Sequence, residues 1–128
     1  MRKAFAGLAA LLLVVVVAQF FFAASGGFST DPDRGAYQPH HVLGYVIFLL
    51  PLLMAGIAAV ARLPRRLIGL SALVAVLTSV EVLIAKVARA IDGGEVAFGL
   101  HAVVALALFA VVWMIFRAAW TPSATAAG

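Results

Sequence analysis

Four long apolar runs constrain this chain more than any other feature of its sequence. They cover about residues 4–24, 40–61, 67–87 and 96–120, and each comes close to the ~20 residues that a helix needs to cross a bilayer. Of the 128 residues, 66% are hydrophobic and only 11% are charged, whereas a typical soluble domain has about 25% charged residues. A soluble fold of this length has too small an interior to bury so much apolar surface. The sequence therefore predicts an integral membrane protein.

The connections between the runs predict an all-α, up-down-up-down four-helix transmembrane bundle, with residues 1–128 forming one domain. Runs two to four are joined so tightly that consecutive helices must be antiparallel neighbours. Helices two and four then run in the same direction and occupy diagonal corners. The first run also resembles a cleavable secretory signal, but its apolar stretch is longer than the usual about 7–15 residues. We therefore expect it to be retained.

The distribution of basic residues predicts the orientation. One end of the predicted bundle carries six of them: Arg2, Lys3, Arg62, Arg65, Arg66 and Arg117. The other end carries Arg34, Lys86 and Arg89, together with four acids. Because basic residues accumulate on the cytoplasmic side, both termini are predicted to be cytoplasmic. A net charge of +4 placed at helix ends does not indicate a nucleic-acid partner, and the absence of cysteine excludes iron–sulfur clusters and covalently attached haem.

The strongly polar residues inside the runs fall at one depth. Counting about 1.5 Å of rise per residue places Gln19, the His40-His41 pair, Glu81 and His101 within about 10 Å of the outer surface. Ionisable residues within a membrane usually face the bundle interior and mark a functional site. We therefore predict one polar site shared by four helices. For Glu81 the alternative is that it only pairs with a neighbouring helix and fixes packing.

The histidines suggest axial ligands of haem. Diagonal helices of a bundle lie roughly 11–14 Å apart, which suits a flat macrocycle with an imidazole on each side, and histidine commonly holds haem iron. His40 and His41 point about 100° apart, so only one of them can pair with His101. We favour His40, because its face continues through Gly44, which leaves room for a ring. The alternatives are histidines that hold another ligand, relay protons or have a structural role only.

The basic residues at the outer end complete the predicted haem site. Lys86 and Arg89, together with Arg34, are expected to pair with the two haem propionates. No catalytic residue is predicted, because Ser71 and Ser79 have no evident general base and no glycine-rich phosphate loop exists. Whether the protein is an enzyme stays open at this point.

Several short motifs resemble an uncharacterised family of small four-span bacterial membrane proteins. They are Gln19-Phe20-Phe21, Pro39-His40-His41-Val42-Leu43-Gly44-Tyr45, Arg62-Leu63-Pro64-Arg65-Arg66 and Leu100-His101. The layout also resembles the bis-histidine four-helix bundles of membrane b-type cytochromes and haem A synthases. The latter resemblance implies haem b binding by His40 (or His41) and His101. It implies no catalysis, because haem A synthases carry more histidines and an outer-loop cysteine or acidic motif.

These observations predict a small b-type cytochrome of the bacterial plasma membrane, binding haem near the outer face. Its partners would be the lipid bilayer and either a quinol or a redox protein. One alternative is a small proton-coupled transporter that uses Glu81. Another is an accessory subunit of a larger membrane complex, and a homo-oligomer is equally compatible with the sequence.

Overall fold

The protein forms four long helices, as a computed structural model that describes residues 1–29 and 34–121 shows. The helices are α1 (Arg2–Phe28), α2 (Gln38–Val60), α3 (Arg65–Ala90) and α4 (Gly94–Trp120), and a 3-10 turn at Arg34–Tyr37 precedes α2. All four are long and apolar enough to cross a membrane. The predicted all-α fold with four membrane-spanning helices is therefore confirmed.

The helices pack as an up-down-up-down bundle. Helices α1 and α3 each pack against both α2 and α4, whereas the backbones of the two diagonal pairs make no close contact within the described residues. The start of α1 and the end of α4 lie together, and the Arg2 guanidinium donates a hydrogen bond of 2.8 Å from Nη2 to the Thr121 carbonyl oxygen. We call the end that contains Arg2 and Thr121 the terminal end, and the opposite end the histidine end. That the terminal end faces the cytoplasm stays a prediction.

The helix ends differ from the apolar runs at several places. Helix α1 continues to Phe28, beyond the end of the first apolar run at 24, so residues 25–27 do not form the turn that two glycines after a serine usually indicate. The physical reason is that the Tyr37 ring packs directly against Gly26, where an added Cβ would lie 2.9 Å from Tyr37 Cδ1. Between α3 and α4 the chain turns at Gly93, whose φ of +71° suits glycine. Two parts of the chain lie outside the described residues: the acidic residues at 31 and 33, and the tail from 122 onward.

The apolar core fills the terminal half of the bundle. Buried residues recur every three or four positions, as expected for one face of each helix. On α2 and α4 these residues are Ile47, Pro51, Met54, Ala58, Leu108, Val112, Ile115 and Ala119. Helix α1 contributes Phe5, Ala9, Leu12 and Val16 from the same half. On α3 the buried face carries Thr78 and Glu81 toward the histidine end, whereas the buried Ser71 lies in the terminal half.

Candidate functional site

Each helix contributes one polar side chain at the same level near the histidine end. Gln19 follows the buried Val16 by three residues, and Glu81 follows the buried Thr78 by three. His40 and His101 each lie two helical turns before the next buried core residue on the same helix. All four residues therefore continue the inward face of their helix. We call Gln19, His40, Glu81 and His101 the histidine cluster.

Glu81 holds His101 in the cluster. The Glu81 side chain is buried, and its Oε2 forms an ion pair with His101 Nδ1. The same nitrogen lies 3.2 Å from the Glu81 backbone carbonyl oxygen, with which it forms a hydrogen bond. Both partners of Nδ1 are acceptors, so Nδ1 carries a proton and the other ring nitrogen, Nε2, keeps its lone pair in the neutral imidazole. This is the arrangement by which proteins commonly orient a metal-binding histidine.

Several polar atoms of the cluster lack partners. Oε1 of the Glu81 carboxylate has no hydrogen-bond partner within the described residues, whereas Oε2 contacts His101 Nδ1. Gln19 Oε1 and His40 Nδ1 are likewise buried without a hydrogen-bond partner in the described part of the chain. An unsatisfied polar group is costly inside a bilayer, which offers no water to replace the missing bond. These atoms are therefore free to bind a polar or metallic group between the helices.

The His40 ring points toward His101 across the bundle. The two ring centroids are 6.4 Å apart, with an angle of 55° between the ring planes. His40 also contacts the backbone of Gln19 on α1. His41 is exposed, and its ring stacks on Tyr37 with centroids 6.4 Å apart. The structure thus places His40, and not its neighbour, on the interior side.

Two aromatic residues that sequence reasoning missed cover the histidines. Tyr37 meets His40 edge-on, with centroids 6.2 Å apart. Phe98 stacks on His101, with centroids 4.9 Å apart and planes 11° from parallel. Each aromatic residue precedes its histidine by three positions, a spacing that makes neighbours on a helix surface. That spacing is the signal that could have identified them.

The other predicted site residues lie around the cluster. An added Cβ at Gly44 would be 3.8 Å from Gln19 Nε2, so Gly44 faces the cluster from α2. Arg89 is exposed, and its charge interacts with His101. Lys86 is exposed and makes no contact with the cluster within the described residues. The side chain of Arg34 lies outside the described residues.

On α2 and α4 the layer beneath the histidines differs from the packed core. Over the described residues between His40 and Ile47, and between His101 and Leu108, neither helix buries a side chain. This layer is two helical turns deep, or about 10 Å. A flat group that entered below the two imidazoles would therefore displace no buried side chain of α2 or α4.

The donor set fits a metal ion that a macrocycle already holds. First-row metals bond imidazole nitrogen at about 2.0–2.1 Å, so two imidazoles on opposite sides of one ion have centroids about 6–6.5 Å apart. The His40–His101 separation of 6.4 Å lies in this range. A free metal ion would need more protein ligands, and the described residues contain no group of three or more His, Cys, Asp or Glu side chains that could hold one.

Comparison with known proteins gives one match. The sequence model of a family of unknown function, DUF6220, matches residues 19–89, which is more than half of the chain. The matched stretch begins at Gln19, includes His40 and Glu81, and ends at Arg89, before His101. No curated protein and no solved structure matches the chain.

Proposed function

We propose that this chain, which belongs to the DUF6220 family of unknown function, is a small membrane b-type cytochrome. His40 and His101 would hold one haem b. The observation that carries the proposal is the approach of two imidazoles from diagonal helices to a centroid separation of 6.4 Å. The absence of buried α2 and α4 side chains from the described layer beneath them, and the unpartnered polar atoms around them, support it.

The neighbouring residues would orient the ligands and exclude water. Bound haem b would supply a site for one transferable electron. Glu81 fixes the ring of His101 through Nδ1 and leaves Nε2 to face inward. Tyr37 and Phe98 cover the two histidines from the membrane surface side. Arg89, whose charge already interacts with His101, would hold a propionate, and Lys86 would hold the other.

Electrons would enter from a quinol dissolved in the bilayer or from a redox protein at the membrane surface. The histidine cluster lies near the end of the bundle, so either donor would have only a short distance to cover. The exposed, stacked rings of Tyr37 and His41 lie at this end of the bundle, where such a donor would approach.

Haem loading of three histidine variants tests the proposal. The protein is expressed in haem-replete cells, purified, and its haem content and Soret absorbance are measured. We expect about one haem per chain in the wild type, as one pair of axial histidines provides, and loss of haem in His40→Ala and in His101→Ala. The matched control is His41→Ala, which removes an adjacent, exposed imidazole and should retain haem. A colourless wild-type protein, or equal loss in all three variants, would contradict the proposal.

The buried, unpartnered Oε1 of Glu81 favours a second candidate function, proton-coupled transport. The proton pathways of pumps and transporters are commonly formed by carboxylate and histidine side chains inside the membrane. Proteoliposomes with a pH-sensitive dye inside would report proton flux. Glu81→Gln should abolish the flux, whereas Glu95→Gln, which neutralises an exposed carboxylate at the start of α4, should not. Flux that is unchanged in Glu81→Gln would reject this candidate.

A further inference from the structure

A cleft lies at the terminal end of the bundle, far from the histidine cluster. It has a volume of about 260 Å³ and opens between the first turn of α3 and the last turns of α4. Five residues line it: Arg66, Met114, Arg117, Ala118 and Thr121. Two of these five carry a positive charge, and none carries a negative charge.

The charges around the cleft are not neutralised by the part of the protein that the structure describes. Within the described residues the acidic side chains are Glu81, Asp92 and Glu95, which belong to the other half of the bundle. The guanidinium groups of Arg66 and Arg117 form no ion pair or hydrogen bond with any described residue. Two like charges beside a low-dielectric membrane repel each other more strongly than they would in bulk water. An anion between them would remove this repulsion.

The aromatic residues of α4 place the cleft at the level of the lipid headgroups. The rings of Trp113, Phe116 and Trp120 contact one another in series, with the first pair stacked at a centroid distance of 5.6 Å and the second pair tilted at 6.1 Å. Tryptophan is enriched where a membrane protein crosses the headgroup region, and Trp120 is 61% exposed beside Thr121. Met114, which forms the apolar wall of the cleft, lies on the side of the membrane interior and is itself exposed. One side of the cleft thus suits a phosphate and the other suits an acyl chain.

We propose that this cleft binds the phosphate of an anionic phospholipid. Arg66 and Arg117 would contact the phosphate from α3 and α4, because guanidinium groups match phosphate oxygens in geometry as well as charge. Basic pockets between transmembrane helices are a common form of site for anionic lipids. A bound lipid would join the start of α3 to the end of α4. This site is independent of haem binding.

Lipid retention in native mass spectrometry tests the site. The protein is reconstituted in an equimolar mixture of phosphatidylglycerol and phosphatidylcholine, extracted in mild detergent, and its retained lipids are counted. The wild type should retain phosphatidylglycerol preferentially. In the double variant Arg66→Gln/Arg117→Gln this retention should fall roughly tenfold or more.

The matched control is Arg62→Gln/Arg65→Gln. It removes the same charge from the same end of the protein, but from residues that do not line the cleft. Retention as in the wild type would support the cleft, whereas an equal loss in both double variants would show general electrostatic attraction and overturn the proposal. Thermal melting of each variant establishes that it is folded. If millimolar inorganic phosphate displaces the lipid completely, the site binds a free anion, and the lipid assignment is wrong.

Discussion

Glu81 is the residue whose position costs most and therefore needs the strongest explanation. An acidic side chain at the centre of a membrane helix costs about 2.5–3.5 kcal/mol on insertion scales, and Glu81, although nearer the histidine end, is only 7% exposed. Its ion pair with His101 offsets part of this cost. In return, the pair fixes which nitrogen of His101 is protonated. A residue that only stabilised packing would not need to determine which nitrogen of His101 is protonated.

Two replacements of Glu81 should affect different properties: one should change the reduction potential of the haem, and the other should weaken haem binding. Glu81→Gln keeps an acceptor for His101 Nδ1 but removes the negative charge, so His101 would donate less electron density to the iron. We expect haem to be retained and its reduction potential to become more positive. Glu81→Leu removes the acceptor and should weaken haem binding about 10- to 100-fold. Redox titration and haem-dissociation measurements distinguish the two effects. An unchanged potential in Glu81→Gln would show that Glu81 does not act on the iron through His101.

Gly44 should matter for its size. An added Cβ there would make ordinary contact with Gln19 at 3.8 Å, so Gly44→Ala should bind haem as the wild type does. Gly44→Leu would fill the space between α2 and the cluster, and we expect haem binding to fall by at least tenfold, because overpacking typically costs about 1–3 kcal/mol. Haem titration of the two purified apoproteins compares them. Equal affinities would show that the space near Gly44 is not needed.

At the scale of helices, the sequence alone predicts the elements well and their ends less well. Four runs of about 20 apolar residues have only one stable form in a bilayer, which is the helix. The end of α1 was mispredicted, because two consecutive glycines and a serine usually mark a turn. In the structure the helix continues, since Tyr37 from the following turn packs on Gly26. Such a contact between distant residues leaves no periodic trace in the sequence.

Gly26 should therefore be more sensitive than other glycines of α1. In Gly26→Ala the new Cβ would approach the Tyr37 ring to 2.9 Å, and we expect destabilisation by about 1–3 kcal/mol. Gly7→Ala is the control, because nothing lies within 4 Å of an added Cβ there. Since alanine favours helix, Gly7→Ala should be stabilising by roughly 0.5–1 kcal/mol. Thermal unfolding in detergent measures both, and equal melting temperatures would contradict the Tyr37 contact.

Ser71 in α3 is a buried residue whose replacement should stabilise the protein. It is fully buried, and its Oγ has no hydrogen-bond partner within the described residues. Leaving a buried hydroxyl unpaired costs about 1–3 kcal/mol, so Ser71→Ala should raise the melting temperature. The contrasting variant is Val74→Ala, on the same buried face, which should lower it because it opens a cavity. A lower melting temperature for Ser71→Ala would show that this hydroxyl does have a partner.

At the scale of the whole molecule, the membrane allows the common depth of residues on different helices to be predicted from the sequence. Because each helix must cross the same thickness, counting residues from helix ends places Gln19, His40, Glu81 and His101 at one level. The partners within that level could not be predicted. Whether His101 contacts Glu81 or His40, and which aromatic ring covers each histidine, depends on helix rotation and on rotamers. A residue count leaves both undetermined.

The orientation of the bundle gives a prediction for the molecule as a whole. Six of the nine basic residues belong to the terminal end, so both termini should be cytoplasmic. A green fluorescent protein fused after residue 128 should fluoresce, because it folds only on that side. Alkaline phosphatase fused at the same point should be inactive. The reverse result would place the histidine end in the cytoplasm.

The central claim is that His40 and His101 share one iron, and electron paramagnetic resonance of the oxidised, purified protein tests it most directly. Two imidazole ligands make ferric haem low-spin. If they share one iron, the wild type should give a low-spin signal that disappears in His101→Ala and persists in His41→Ala. A high-spin haem signal in the wild type, or no haem signal in protein from haem-replete cells, would contradict it.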